Sequence, residues 1–108
     1  MVFVFHGHGG NAKHASRNLN FHQNFPEALV IYVQGIPGVT NSIVDKEGKY
    51  NGWQMNPDEL QNRDVKFFDE VFSQISKNYN LDFDRIYAVG HSNGSRFVNV
   101  LWKMRPEK

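Results

Sequence analysis

The stretch Gly90-His91-Ser92-Asn93-Gly94, directly after the apolar run Ile86-Tyr87-Ala88-Val89, constrains this chain more than any other segment. It has the form of a serine set on a sharp turn between a strand and a helix. Such a turn strains the serine backbone and leaves no room for side chains two positions before and after it, where Gly90 and Gly94 stand. The run before it therefore reads as a strand. The residues after it read as a helix from about Asn93 to Met104, with Phe97, Val98, Leu101 and Trp102 on one face and Pro106 bounding its end.

Two further apolar runs rich in β-branched and aromatic residues, Val2 to Phe5 and Leu29 to Gln34, join Arg85 to Val89 as candidate strands. Continuous apolar runs fit strands buried on both faces, and the long connections between them fit crossovers of a parallel sheet. From Asp64 to Tyr79, Val65, Phe68, Phe72, Ile75 and Tyr79 recur at three- and four-residue spacings with Phe67 and Val71 beside them, which predicts a helix capped by Asp64 or Asn62. Phe67, Phe68, Phe72, Phe97 and Trp102 are expected in the core. Gly35 to Arg63 lacks periodicity and is rich in Gly, Pro and Asn, so it reads as a long loop of the kind that is usually functional or disordered. Trp53 within it is either an aromatic wall for a substrate or a pin tying the loop to the domain; Tyr50 reads as a pin. The predicted class is α/β, a partial parallel sheet with flanking helices.

Composition narrows the partners. The 108 residues are 40% hydrophobic with a formal charge of +1 and no block of like charges, which favours neither nucleic acid nor an anionic membrane. Cysteine is absent, excluding disulfides and thiolate metal sites without fixing the compartment. The chain opens inside a strand, with no basic segment, long apolar stretch or cleavage site, so neither a signal peptide nor a membrane span is read in it.

A serine hydroxyl is a weak nucleophile until a base takes its proton, and the tetrahedral intermediate of acyl transfer needs donors for its oxyanion. The amide of Asn93, which follows the serine and opens a helix, is one such donor. The loop His6-Gly7-His8-Gly9-Gly10 after the first strand, with Gly7, Gly9 and Gly10 freeing its backbone, is the source expected for a second. His6 and His8 could instead chelate a metal from one side of the chain, but Gly10 and Asn11 stand where a third ligand is needed and His14 falls out of that spacing. No metal or cofactor is called for. His91 lies inside the turn, His14 and His22 on a surface helix or loop, and Asp64 reads as a cap; none is expected to act as base or acid for Ser92.

His6-Gly7-His8-Gly9-Gly10-Asn11-Ala12, Tyr32-Val33-Gln34-Gly35, Asn51-Gly52-Trp53, Asp64-Val65-Lys66-Phe67 and Asp84 through Gly94 together resemble polyhydroxybutyrate depolymerase-like and feruloyl-esterase-like α/β-hydrolases. The likeness spans almost the whole chain in the family's own order. It implies an α/β-hydrolase fold with the first strand between the other two, Ser92 as nucleophile, and the amides of His8 and Asn93 as the oxyanion hole. The family also carries an Asp and a His after the serine. Only sixteen residues follow Ser92, so residues 1–108 are expected to be an incomplete domain lacking that acid and base. Ser95, where a further glycine is common, is a milder departure.

These readings imply hydrolysis of a carboxylic ester, a polyester oligomer or an esterified polysaccharide, through an acyl-enzyme on Ser92. Peptidase or thioesterase chemistry of the same fold is a lesser alternative. A noncatalytic fragment or binding remnant is the alternative of another class, expected to self-associate through its unpaired sheet edge. The resemblance admits a secreted protein, and localisation stays open.

Overall fold

The computed structural model describes residues 1–24, 28–38, 47–79 and 85–105. Three parallel strands, β1 (Val2–Phe5), β2 (Val30–Val33) and β3 (Tyr87–Gly90), form a sheet in the order β2-β1-β3. Val2 lies opposite Val30 and Tyr87, and Phe5 opposite Val33 and Gly90. The strands therefore end level, and His6, Gln34 and His91 leave the same edge. The carboxyl edge of an open α/β sheet is where ligands usually bind.

Among the described residues four α-helices flank the sheet: α1 (Ala12–Leu19), the short α2 (Phe21–Asn24), α3 (Arg63–Asn78) and α4 (Asn93–Met104). Side chains alternate across a strand, so Phe3 and Phe5 share one face of β1 and Val4 takes the other. Phe3 meets Phe68 of α3 at 4.9 Å between ring centroids. Phe5 meets Phe97 of α4 and Trp53 edge-on, each at 5.1 Å, and Trp53 stacks on Phe97 at 5.2 Å. These aromatics, with Val65, Val100 and Leu101, make the core. On the far side α1 packs against β1 and β2 and buries Ala15. At the distal end Arg105 grips both carboxylate oxygens of Asp69 at 2.6 and 3.0 Å, tying the end of α4 to α3.

The β1 and α4 boundaries are those the spacing predicts, while β2 and β3 are shifted by one or two residues. Burial on both faces holds for β1 alone: Tyr87 and Ala88 of β3 are exposed. Trp102 and Phe67 are not core residues, being 74% and 41% exposed, and Tyr79 is exposed as well. Successive helical residues turn by about 100°, so Trp102 points away from the face of Phe97 and Leu101, and Phe67 away from that of Val65 and Phe68. Pro106 and Asp84 lie outside the described residues.

Neither predicted cap serves α3. Asn62 has left-handed backbone angles (φ 57, ψ 31) and makes no side-chain cap. Asp64 lies inside the helix and is buried. Gln54 takes the task, its Oε1 accepting the N–H groups of Asp64 (3.1 Å) and Val65 (3.2 Å) while Asp64 Oδ2 accepts the N–H of Gln54 at 2.6 Å. The exchange satisfies donors that no carbonyl within the helix can reach. At α1, Asn11 Oδ1 accepts the N–H of His14 and Gln34 Oε1 that of Ala12, joining this helix to the end of β2.

Phe97→Ala is expected to cost about 3–5 kcal/mol because it opens a cavity between the Phe5 and Trp53 rings. Trp102→Ala should change stability by no more than about 0.5 kcal/mol. Urea denaturation of both variants checks the contrast.

Candidate functional site

The turn between β3 and α4 is built by two glycines under steric compulsion. A Cβ on Gly90 would overlap the carbonyl group of Gly94. One on Gly94 would overlap the Phe5 carbonyl oxygen and lie 2.6 Å from that of His6. The backbone of α4 thus rests directly on the end of β1, an approach secured by the His91 N–H donating to Phe5 O at 3.2 Å. Ser92 absorbs the change of direction with φ 54 and ψ −111, in the positive-φ range that costs a residue with a side chain roughly 1–3 kcal/mol. Its side chain is exposed and makes no capping hydrogen bond, so the hydroxyl is open to a ligand.

Facing it is the loop after β1. Gly10 N–H closes a turn on Gly7 O at 3.1 Å, with Gly9 at φ 77 in the conformation that favours glycine. Gly7 has a spatial role too: a Cβ there would lie 3.0 Å from His91 Nδ1, so the His91 ring lies over the loop. At Gly52 a Cβ would lie 2.8 Å from His8 Nδ1 and 3.2 Å from Asn93 Oδ1, which brings His8, Asn93 and the 51–54 segment to one point. A cleft of about 300 Å³ opens beside the loop, walled by His6, His8, His14, His91, Asn11 and Leu19.

His6 has a defined chemical state. Gly35 N–H donates to its Nε2 at 2.9 Å, so Nδ1 carries the proton and donates to Gly7 O at 2.8 Å. This neutral ring, 3% exposed, clips the end of β1 to the end of β2. Burial lowers its pKa below the usual 6.5, partly offset by the hydrogen bond to Gly7. His22 is engaged elsewhere, with Nδ1 2.8 Å from the Tyr32 hydroxyl. Among the described residues no histidine or carboxylate is hydrogen-bonded to Ser92, and no group of three or more potential ligands is disposed to hold a metal.

Of the two roles open for Trp53, its burial favours the pin. Only 1% exposed, it pins the loop, its Nε1–H donating to His6 O at 3.0 Å. The Asn93 side chain has a task the sequence reading did not assign: Oδ1 accepts the Trp53 N–H at 2.7 Å and Nδ2–H donates to Trp53 O at 3.2 Å. Asn51 and Gln54 were missed as organisers of the loop. The only signal for Asn51 was its neighbourhood with Gly52 and Trp53.

Because the folded state disfavours protonated His6, its contribution to stability is complete above pH 6.5 and is lost as pH falls below that value toward its folded pKa. Thermal melting should therefore show a fall in Tm beginning near pH 6.5. His6→Gln, whose amide oxygen can accept from Gly35 but does not titrate, should have a lower Tm at pH 8 and a flatter dependence between pH 8 and 5.5.

Comparison of the chain with protein-family models, with curated proteins and with solved structures finds no match, so a functional reading rests on the chain's own residues and geometry.

Proposed function

We propose that this chain carries the nucleophile of a serine carboxylic-ester hydrolase of the α/β-hydrolase fold, similar to polyhydroxybutyrate depolymerases and feruloyl esterases. The observation that carries the reading is Ser92: an exposed hydroxyl on a residue at φ 54, between a parallel strand and a helix, with glycines where no side chain fits. The steric closeness of the two backbones forces this conformation on the turn, and the exposure that comes with it is what a nucleophile needs.

In the proposed reaction Ser92 Oγ attacks the ester carbonyl carbon while a base takes its proton. The amides of His8 and Asn93 donate to the oxyanion, the second of them opening α4 where the helix dipole favours negative charge. The alcohol leaves with a proton, and water then releases the acid from the acyl-enzyme. None of the five histidines is hydrogen-bonded to Ser92; by the family likeness the base is a histidine placed after the serine. Polyester oligomers or esterified polysaccharides are the proposed substrates, by the same family likeness.

A fluorophosphonate probe is expected to label the intact protein on Ser92. Ser92→Ala should abolish labelling and reduce ester hydrolysis by at least about 10⁴-fold. Absence of labelling in the intact protein would favour a noncatalytic scaffold.

A further inference from the structure

Two donors that must converge on one oxygen atom sit here on different elements. His8 is in the loop after β1 and Asn93 begins α4 after β3. Pairing of β1 with β3 levels the strand ends, but the loop holding His8 contains three glycines and has little conformational preference of its own. Something else must set its distance from the elbow.

We infer that Asn51-Gly52-Trp53 is a positioning strap that fixes the spacing between the two oxyanion donors. Its hydrogen bonds run to both sides. Toward the loop, Gly9 N–H donates to Asn51 O at 2.7 Å and Asn51 Nδ2–H donates to Gly10 O at 3.2 Å, so the two residues after His8 are held by one. Toward the elbow, the Asn93 amide exchanges two hydrogen bonds with the Trp53 backbone as a neighbouring strand would. Trp53 Nε1–H holds the carbonyl of His6, where the loop leaves β1.

Gly52 is the spacer between these grips. The His8 ring and the Asn93 amide close on it so tightly that a Cβ would lie 2.8 and 3.2 Å from them. The strap is itself fixed: Gly52 N–H donates to Ile36 O at 3.3 Å, Trp53 is stacked in the core, and Gln54 is locked to the first turn of α3. Pulling any of the three residues would move one donor relative to the other without touching Ser92. They are positioning residues, acting through His8 and Asn93.

The inference rests on Ser92 as nucleophile, and the test separates the two. Steady-state ester hydrolysis by the intact protein is measured for the wild type, Ser92→Ala, Gly52→Ala and Trp53→Phe, with inhibition by a trifluoromethyl ketone and thermal melting of each. Gly52→Ala inserts a methyl group between the side chains of the two donor residues and should lower kcat by about 10²-fold with KM changed less than about threefold. Trp53→Phe keeps the ring stack but removes the bond to His6, and should lower kcat by about tenfold. In both, ketone affinity should fall in proportion to kcat/KM, because the ketone's tetrahedral adduct uses the oxyanion donors. If Gly52→Ala does not fold, Trp53→Phe decides. Wild-type kcat in the folded variants, or a loss confined to KM, would overturn the strap while leaving Ser92 as nucleophile. An inactive wild type, or an active Ser92→Ala, would overturn both.

Discussion

The contact between the first turn of α4 and the last residues of β1 is the constraint on which the remaining structure depends. Gly94 lies against the carbonyls of Phe5 and His6 so closely that no side chain fits, and Gly90 lies equally close to Gly94. Once the backbones meet at that distance, the turn joining β3 to α4 has one residue left to absorb the reversal, and Ser92 takes positive φ to do so. The same approach sets the depth of α4. It puts Phe97 into contact with Phe5 and Trp53, so three fully buried aromatics and the strained Ser92 follow from one steric fact.

A set of polar ties then holds the loops over the strand ends, where apolar packing has little purchase. His6 joins β1 to β2 through a neutral imidazole, Asn93 joins α4 to Trp53, and Gln54 and Asp64 exchange hydrogen bonds. Each buried hydrogen bond is worth about 0.5–1.5 kcal/mol net, but leaving one partner unpaired costs about 1–3 kcal/mol. These ties therefore specify one arrangement more than they add stability. An arrangement fixed in this way is what acyl transfer asks of its oxyanion donors, which act by being in position before charge develops.

What the sequence disclosed divides along physical lines. β1 and α4 were legible to the residue because a short β-branched run and a glycine-flanked serine each allow few conformations. The middle place of β1 came from family likeness, since periodicity carries no strand order. Trp102 and Phe67 were misplaced because apolar residues one position off a helical stripe look like part of it, and only packing reveals which face is covered. The capping of α3 was illegible: Gln54 reaches it across a loop, outside the local spacing by which caps are recognised. Trp53 was ambiguous for a related reason, since a loop without periodicity gives no sign of which side chains turn inward. For the site, the glycines at 90 and 94 announced the elbow, whereas the loop that organises it became visible only through its hydrogen bonds.

The central claim is that Ser92 is strained and exposed in order to carry an acyl group. The most direct test is rapid acid quenching of the intact protein during turnover of an activated ester, followed by peptide mass spectrometry. The account predicts one acyl group, on the peptide containing Ser92, appearing before steady state and absent in Ser92→Ala. Turnover without that adduct, or an adduct on another residue, would contradict it.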